Sequence, residues 1–190
     1  KLKEFIKINE SLTEEEKAIL TDACKVYVIK NKKVGLVSDR GTPIISDPGY
    51  ELAKHAIDEG YNVVSLPGAT ALIPALTSSG ISPMPFYYYG FLNSKDSARR
   101  KELEFLKNID ATLILYEAPH RINKTLKDLG NILGNNRKIS ISREITKKYE
   151  EVYRGTIGEL IEQKNINPEE IASKTTAEAS EPASPETYFT

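Results

Sequence analysis

The run Val37-Ser38-Asp39-Arg40-Gly41-Thr42-Pro43-Ile44-Ile45-Ser46-Asp47-Pro48-Gly49 concentrates groups that can hold a polar ligand. It follows a short apolar stretch, Val34 to Ser38, so its two Asp-containing turns are predicted to lie beyond the carboxyl end of a strand, where open α/β sheets bind their ligands. Gly41 lets backbone approach closely, Thr42 donates or accepts a hydrogen bond, and Asp39 is an anion able to balance a cation or to accept from an amino or hydroxyl group. The plainer alternative is that glycine and proline only shape turns here and that Asp47 caps a helix. A second turn, Leu66-Pro67-Gly68-Ala69-Thr70-Ala71, adds Gly68 and the backbone N–H groups near Ala69 to Ala71. No Gly-x-Gly-x-x-Gly or Walker sequence occurs, so a nucleotide-like ligand of another kind is required.

The elements that must carry these turns alternate. Thr13-Glu14-Glu15-Glu16 has capping-box spacing and opens a helix, while Val26 to Ile29 reads locally as strand although nothing before it breaks a helix. Val34 to Ser38 is a strand; Asp47 is the expected N-cap, with Pro48 at the first helical position, of a helix that Gly60 stops. Tyr61 to Leu66 is a further strand, and Ala69 to Ser79 a helix ended by Gly80. Pro83-Met84-Pro85 resists both helix and interior strand and marks a hinge. After it come strand Phe86 to Phe91, helix Lys95 to Lys107, strand Thr112 to Tyr116, helix His120 to Leu133, strands Lys138 to Ser142 and Glu150 to Arg154, and helix Ile157 to Gln163. This rhythm is that of an α/β protein, with domains over 1–84 and 85–166 and a low-complexity tail over 167–190.

Composition narrows the classes. Of 190 residues, 39% are apolar and 28% charged, which excludes fibrous and wholly disordered chains. The net charge of −1 hides an asymmetry: 10 Lys/Arg face 11 Asp/Glu over residues 1–85, but 15 face 11 over 86–164, an excess that attracts polyanions. A lone Cys24 makes no intrachain disulfide, and with only His55 and His120 beside it a metal site is poorly supplied, so no metal and a reducing, cytoplasmic compartment are expected. The most apolar stretch, Ala69 to Ile81, is broken by Pro74 and falls short of the ~18 residues of a membrane span. The opening Lys1-Leu2-Lys3-Glu4 has no initiator methionine and no apolar signal region, which raises the expectation that residues are missing upstream.

Taken in order, the two turns, Tyr89-Gly90-Phe91-Leu92, Tyr116-Glu117-Ala118-Pro119-His120-Arg121 and Arg143-Glu144-Ile145-Thr146-Lys147 are far more specific than any one of them. From about Glu14 to Leu160 the chain resembles the tetrapyrrole methylase-like (class III) superfamily of S-adenosylmethionine-dependent methyltransferases, and within it the branch of cytidine 2′-O-ribose methyltransferases acting on 16S ribosomal RNA. The resemblance implies a two-domain α/β fold, a cytoplasmic homodimer, and a methyl donor held between the domains. It matches Asp39 and Thr42 to a first donor-binding loop, Thr70 and Ala71 to a second, and Tyr116 and Arg143 to positions closing over the donor, with Gly41 and Gly68 expected to let the backbone of the two loops approach it. It also favours helix for Val26 to Ile29. The family's opening strand, with its Pro-rich loop, has no counterpart ahead of Lys1, and its closing strand has none in Asn167 to Thr190.

Methyl transfer from a sulfonium needs alignment more than covalent help. A ribose hydroxyl is weakly acidic, so a base or a charge at the developing alkoxide assists. Glu144, Lys147 and Glu117 are the candidates, each equally readable as an ion-pair residue. Lys95, Arg99, Arg100, Lys101, Arg121, Lys147 and Lys148 would meet RNA phosphates, and Tyr87 to Tyr89 would stack bases unless packed in a sheet. His120 reads as a supporting group, His55 and Cys24 as structural. Two other functions stay open: methylation of a small molecule such as a tetrapyrrole precursor or of a protein side chain, and a non-catalytic domain with an incomplete cleft.

Overall fold

The computed structural model describes residues 5–7, 34–38, 41–163 and 187–189, the first and last of these by backbone alone. The helix expected from Thr13, Cys24 and Asp39 therefore lie outside the described residues. The chain divides into two compact units, Lys1–Thr70 and Ala71–Thr190. The boundary expected at 84/85 falls inside the second of them.

In the first unit, strand β1 (Phe5–Lys7) runs parallel to β2 (Gly35–Val37), with Ile6 opposite Leu36. β1 is a strand the sequence reading did not place. Helix α1 (Tyr50–Asp58) buries Leu52 and Ala56, four residues apart on one face, against Val34, Leu36 and Tyr61. It starts later than expected: Gly49 is the N-cap and no side chain caps it, so Asp47 does not play that part. The backbone explains the correction. Gly49 has φ 126°, and a Cβ there would stand 2.5 Å from Leu36 Cδ2, so the chain passes against β2 in a conformation only glycine tolerates before helical geometry begins.

The strand expected over Tyr61 to Leu66 is also absent. These residues have no ladder partner among the described residues, and Val63, Val64 and Leu66 are exposed. β propensity reports how well a side chain fits a half-buried pleated surface, and among the described residues this stretch has no such neighbour to fit.

The second unit opens with α2 (Leu72–Ser78), where Pro74 is tolerated in the first turn because its missing N–H would have had no helical partner. A five-stranded sheet follows: β3 (Phe86–Phe91), β4 (Thr112–Glu117), β5 (Lys138–Arg143), β6 (Glu151–Thr156) and β7 (Thr187–Phe189), in the order β3-β4-β7-β5-β6. β3 and β4 are parallel, joined through α3 (Asp96–Leu106); a 3-10 turn (Pro119–Arg121) and α4 (Ile122–Leu133) carry the chain from β4 to β5. β7 is antiparallel to both neighbours and sits between them, pairing Phe189 with Leu115 and with Ile141. The tail thus contains a strand where none was expected; Tyr188 and Phe189, its two aromatic residues, lie in it, and without it the facing edges of β4 and β5 would lack hydrogen-bond partners.

The core lies on one face of this sheet. Leu103 and Leu106 of α3, Leu126 and Leu129 of α4, Leu113 and Leu115 of β4, Ile139 and Ile141 of β5, and Ile157 and Leu160 of α5 (Ile157–Glu162) form it. Burial of each such side chain contributes about 1.5–3 kcal/mol. α5 starts at a capping box in which Thr156 and Glu159 each bond the other's backbone N–H.

Between α3 and α4 lies a buried ion pair. Arg99, 1% exposed, donates through Nε and Nη2 to Asp128 Oδ2 at 2.9 and 2.6 Å and through Nη2 to Asp96 at 3.0 Å, while Arg100 Nε donates to Asp128 Oδ1 at 2.9 Å. Burial by itself raises the Asp128 pKa, but hydrogen bonds from Arg99 and Arg100 outweigh it and hold the carboxyl below its ordinary value. The stability this provides is complete above the unfolded aspartate pKa and is lost as pH falls through the depressed folded value. Asp128→Ala, which strands a buried guanidinium, is expected to lower unfolding free energy by about 3 kcal/mol in urea at pH 7. The loss should shrink toward zero on acidification, and Arg100→Ala, at an exposed arginine, should cost under about 1 kcal/mol.

Candidate functional site

In the first unit the two turns singled out by their residue types meet. Thr42 Oγ1 donates to Ala69 O at 2.9 Å, across 27 residues of sequence. Ser38 Oγ donates to Gly41 O at 2.8 Å and tightens the first turn. Gly41, at φ 75°, brings its backbone so close to the second turn that a Cβ would stand 3.4 Å from Ala69 O. Gly41, Gly68 and Ala69 are exposed, Thr42 and Thr70 partly buried. The result is a junction of two irregular segments with glycine backbone open to solvent. The segment 41–49 is also strained: Ile44 and Ser46 have φ of 78° and 56°, left-handed values that cost on the order of 1–3 kcal/mol each for residues with side chains. Such strain is held only where the surroundings dictate the backbone, and it concentrates at ligand-gripping loops. Ala71, matched by resemblance to the second loop, is the N-cap of α2 and belongs to the second unit.

In the second unit Tyr116 and Arg143 sit at the carboxyl ends of β4 and β5, separated by β7, in which Tyr188 faces Tyr116 on one side and Ser142 on the other. Tyr116, 8% exposed, meets the rings of Tyr88 and Phe91 edge-on at 5.1 and 5.6 Å between centroids. Arg143 Nη1 is 2.8 Å from Glu151 Oε2, which also accepts from Tyr153 Oη at 2.9 Å. Burial and Glu151 both push the Tyr153 phenol above its usual pKa. Tyr153 and Glu151 were missed in the sequence, where β6 offered no charge pattern to mark them.

Glu144 and Lys147 lie in the β5–β6 loop and face each other, Oε1 to Nζ at 3.3 Å. The loop is folded on itself: Glu144 and Thr146 have φ of 51° and 64°, and Thr146 N donates to Glu150 Oε2 at 2.6 Å. Of the expected phosphate contacts, Lys95 is exposed at the N-cap of α3 and Arg100 is 59% exposed in its side chain. Arg99 is a correction. It points into the α3–α4 interface, where Asp128 and Asp96 saturate it, and has no surface to offer a phosphate. Tyr88 and Tyr89 are partly buried, leaving Tyr87 the more exposed of the three rings. Among the described residues no three His, Cys, Asp or Glu side chains stand together as a metal would need, and no helix is long and apolar enough to cross a membrane.

Arg121 is tied to the protein rather than held out. Its Nη2 donates to Leu92 O at 2.9 Å and Asn93 O at 3.2 Å, and its Nε lies 3.2 Å from Glu117 Oε1, out of line for a hydrogen bond. Glu117, 1% exposed, accepts from Thr125 Oγ1 at 2.6 Å and from Ala118 N at 2.8 Å. The Tyr116-to-Arg121 motif is therefore a clasp joining the loop after β3 to the turn after β4. Glu117→Ala is expected to destabilise the chain by about 2–3 kcal/mol. Hydrogen exchange should show faster amides over Asn93 to Lys95, and unchanged protection there would remove the clasp.

A family model described as Tetrapyrrole (Corrin/Porphyrin) Methylases matches residues 2–161. A Bacillus subtilis protein named ribosomal RNA small subunit methyltransferase I is 54% identical over 135 residues, 71% of this chain and 46% of its own length. The Haemophilus influenzae protein of the same name is 41% identical over 160 residues, 84% of this chain and 55% of its own. The chain thus spans about half the length of the curated relatives it matches. Among solved structures, the methyltransferase CobJ superposes with a TM-score of 0.62 at 15% identity, covering 97% of this chain and 81% of its own. Uroporphyrin-III C-methyl transferase from Thermus thermophilus, complexed with S-adenyl homocysteine, gives 0.52 at 18% identity, covering 93% and 72%. The likeness to these two concerns the fold, which is the class III methylase fold expected from the order of motifs. The chain belongs to the tetrapyrrole (corrin/porphyrin) methylase family.

Proposed function

We propose that this chain is part of an S-adenosylmethionine-dependent methyltransferase that methylates a cytidine ribose 2′-hydroxyl in 16S ribosomal RNA, acting in the cytoplasm as a homodimer on the RNA or the small ribosomal subunit. The observation that supports it best is the Thr42–Ala69 hydrogen bond, which joins the turn after β2 and the Leu66-to-Thr70 segment into one junction lined by glycine backbone. That junction fits the donor's chemistry: a nucleoside is gripped by backbone amide and carbonyl groups at close range, and Gly41 and Gly68 leave those groups uncovered. In this reading Asp39, Gly41, Thr42, Gly68, Thr70 and Ala71 hold the donor; the family resemblance alone assigns Tyr116 and Arg143 to it. The names of the Bacillus subtilis and Haemophilus influenzae relatives carry the choice of ribosomal RNA as substrate.

The donor supplies a methyl group already activated on sulfonium. The chain's residues are left with orientation and the proton of the attacking hydroxyl. In this reading Glu144 accepts that proton, and Lys147, 3.3 Å from it, favours the negative charge that develops. Lys95 and Arg100 are exposed cations that meet phosphates; Arg99 and Arg121 serve the scaffold.

Two binding measurements test this. Calorimetry with S-adenosylhomocysteine should show binding to the wild-type chain, binding about tenfold weaker to Thr42→Val, which removes one hydrogen bond of roughly 1–1.5 kcal/mol, and no binding to Thr70→Arg. Binding undiminished in Thr70→Arg rejects the junction as the donor's place. In the second, Lys95→Ala and Arg100→Ala should each weaken ribosomal RNA binding, reduce its salt slope by about 1, and leave donor affinity alone. Transfer of labelled methyl to a tetrapyrrole precursor but not to small ribosomal subunits would replace the substrate assignment.

A further inference from the structure

The second unit has a cavity of about 520 Å³ that the proposed methyl transfer does not use. It opens at the amino ends of the strands: Pro85 precedes β3, Thr112 begins β4 and Lys138 begins β5, and all three line it. Tyr116, Glu117 and Arg143 stand at the other end of the same strands. Its volume lies within the 300–1,000 Å³ of small-molecule sites. The floor is apolar, built from Leu113, Leu129 and Leu133, and the mouth carries Lys107, Arg137 and Lys138 against a single anion, Asp110.

Two features make it a formed site. Thr112 Oγ1 donates to Ser82 O at 2.6 Å and Ile157 N to Arg137 O at 3.0 Å, so the segments that make the walls are tied across. Among the described residues no carboxylate stands within ion-pair distance of Lys107, Arg137 or Lys138, although Arg137 is partly buried. Cations gathered around an apolar hollow and left unpaired complement an anion joined to an apolar body. Helices α3 and α4 both end here, and the partial negative charge of their last carbonyls keeps that anion at the mouth, among the side-chain tips.

We propose that this cavity binds a small amphipathic organic anion, an aromatic or aliphatic carboxylate or sulfonate whose apolar part enters among the leucines and whose charge rests between Arg137 and Lys138. The test uses 8-anilinonaphthalene-1-sulfonate and its uncharged parent, N-phenyl-1-naphthylamine, titrated by fluorescence into the full chain. One saturable site is expected for each. Arg137→Ala with Lys138→Ala should weaken the sulfonate about fivefold and leave the amine unchanged. Ala111→Trp, which fills the wall, should abolish both at native circular dichroism; if it fails to fold, Asn108→Trp closes the mouth from an exposed position. Fluorescence that never saturates, binding that survives the filled cavity, or equal loss of both probes on removing the charges would each overturn the proposal.

Discussion

A charge taken into the interior of a small domain must bring its partner with it, and in the second unit this requirement decides how the parts are arranged. Arg99 is buried on α3 only because Asp128 of α4 meets it with two hydrogen bonds, and the pair fixes how the two helices cross the sheet. Glu117 is buried only because Thr125, the Ala118 amide and Arg121 surround it, and Arg121 in turn holds the carbonyls that follow β3. Apolar packing of α3 and α4 supplies more free energy than either pair. It would nonetheless be satisfied by many slightly different helix rotations, whereas the buried charges tolerate few.

The same requirement separates the basic residues into two groups. Positive charge over 86–164 exceeds negative by 15 to 11, yet Arg99 and Arg121 are consumed by the scaffold and Arg143 is paired with Glu151. What remains for a polyanion is Lys95, the outer part of Arg100 and other exposed lysines. Net charge alone therefore overstates the surface available to RNA, and each cation has to be followed to its partner.

The first unit shows a different economy. Its turns are strained, poor in regular structure, and joined by a side-chain hydrogen bond from Thr42. A backbone held in left-handed values at Ile44 and Ser46 presents amides and carbonyls in fixed directions, which a ligand recognised through its polar edges requires. The matched region is about half the length of the Bacillus subtilis relative.

Much was legible from the residues. The strands Phe86 to Phe91 and Thr112 onward and the helices around Lys95 to Lys107 and up to Leu133 follow from apolar periodicity and Gly and Pro punctuation, all local signals, whereas the two turns after Ser38 and Leu66 were brought together only by the family resemblance. The capping box of Thr156 and Glu159 was equally readable, and was overlooked. Long-range facts were not legible. Tyr61 to Leu66 has the composition of a strand but no neighbour to pair with among the described residues, Thr187 to Phe189 lies in a polar tail yet fills the gap between β4 and β5, and Asp47 loses its cap to the backbone turn at Gly49. Sequence by itself determined which segments can be helix or strand and which turns carry glycine and threonine. The tertiary structure alone decided which strands are paired and which arginines are spent inside, because a ladder bond or a buried ion pair needs a partner whose position no local pattern records.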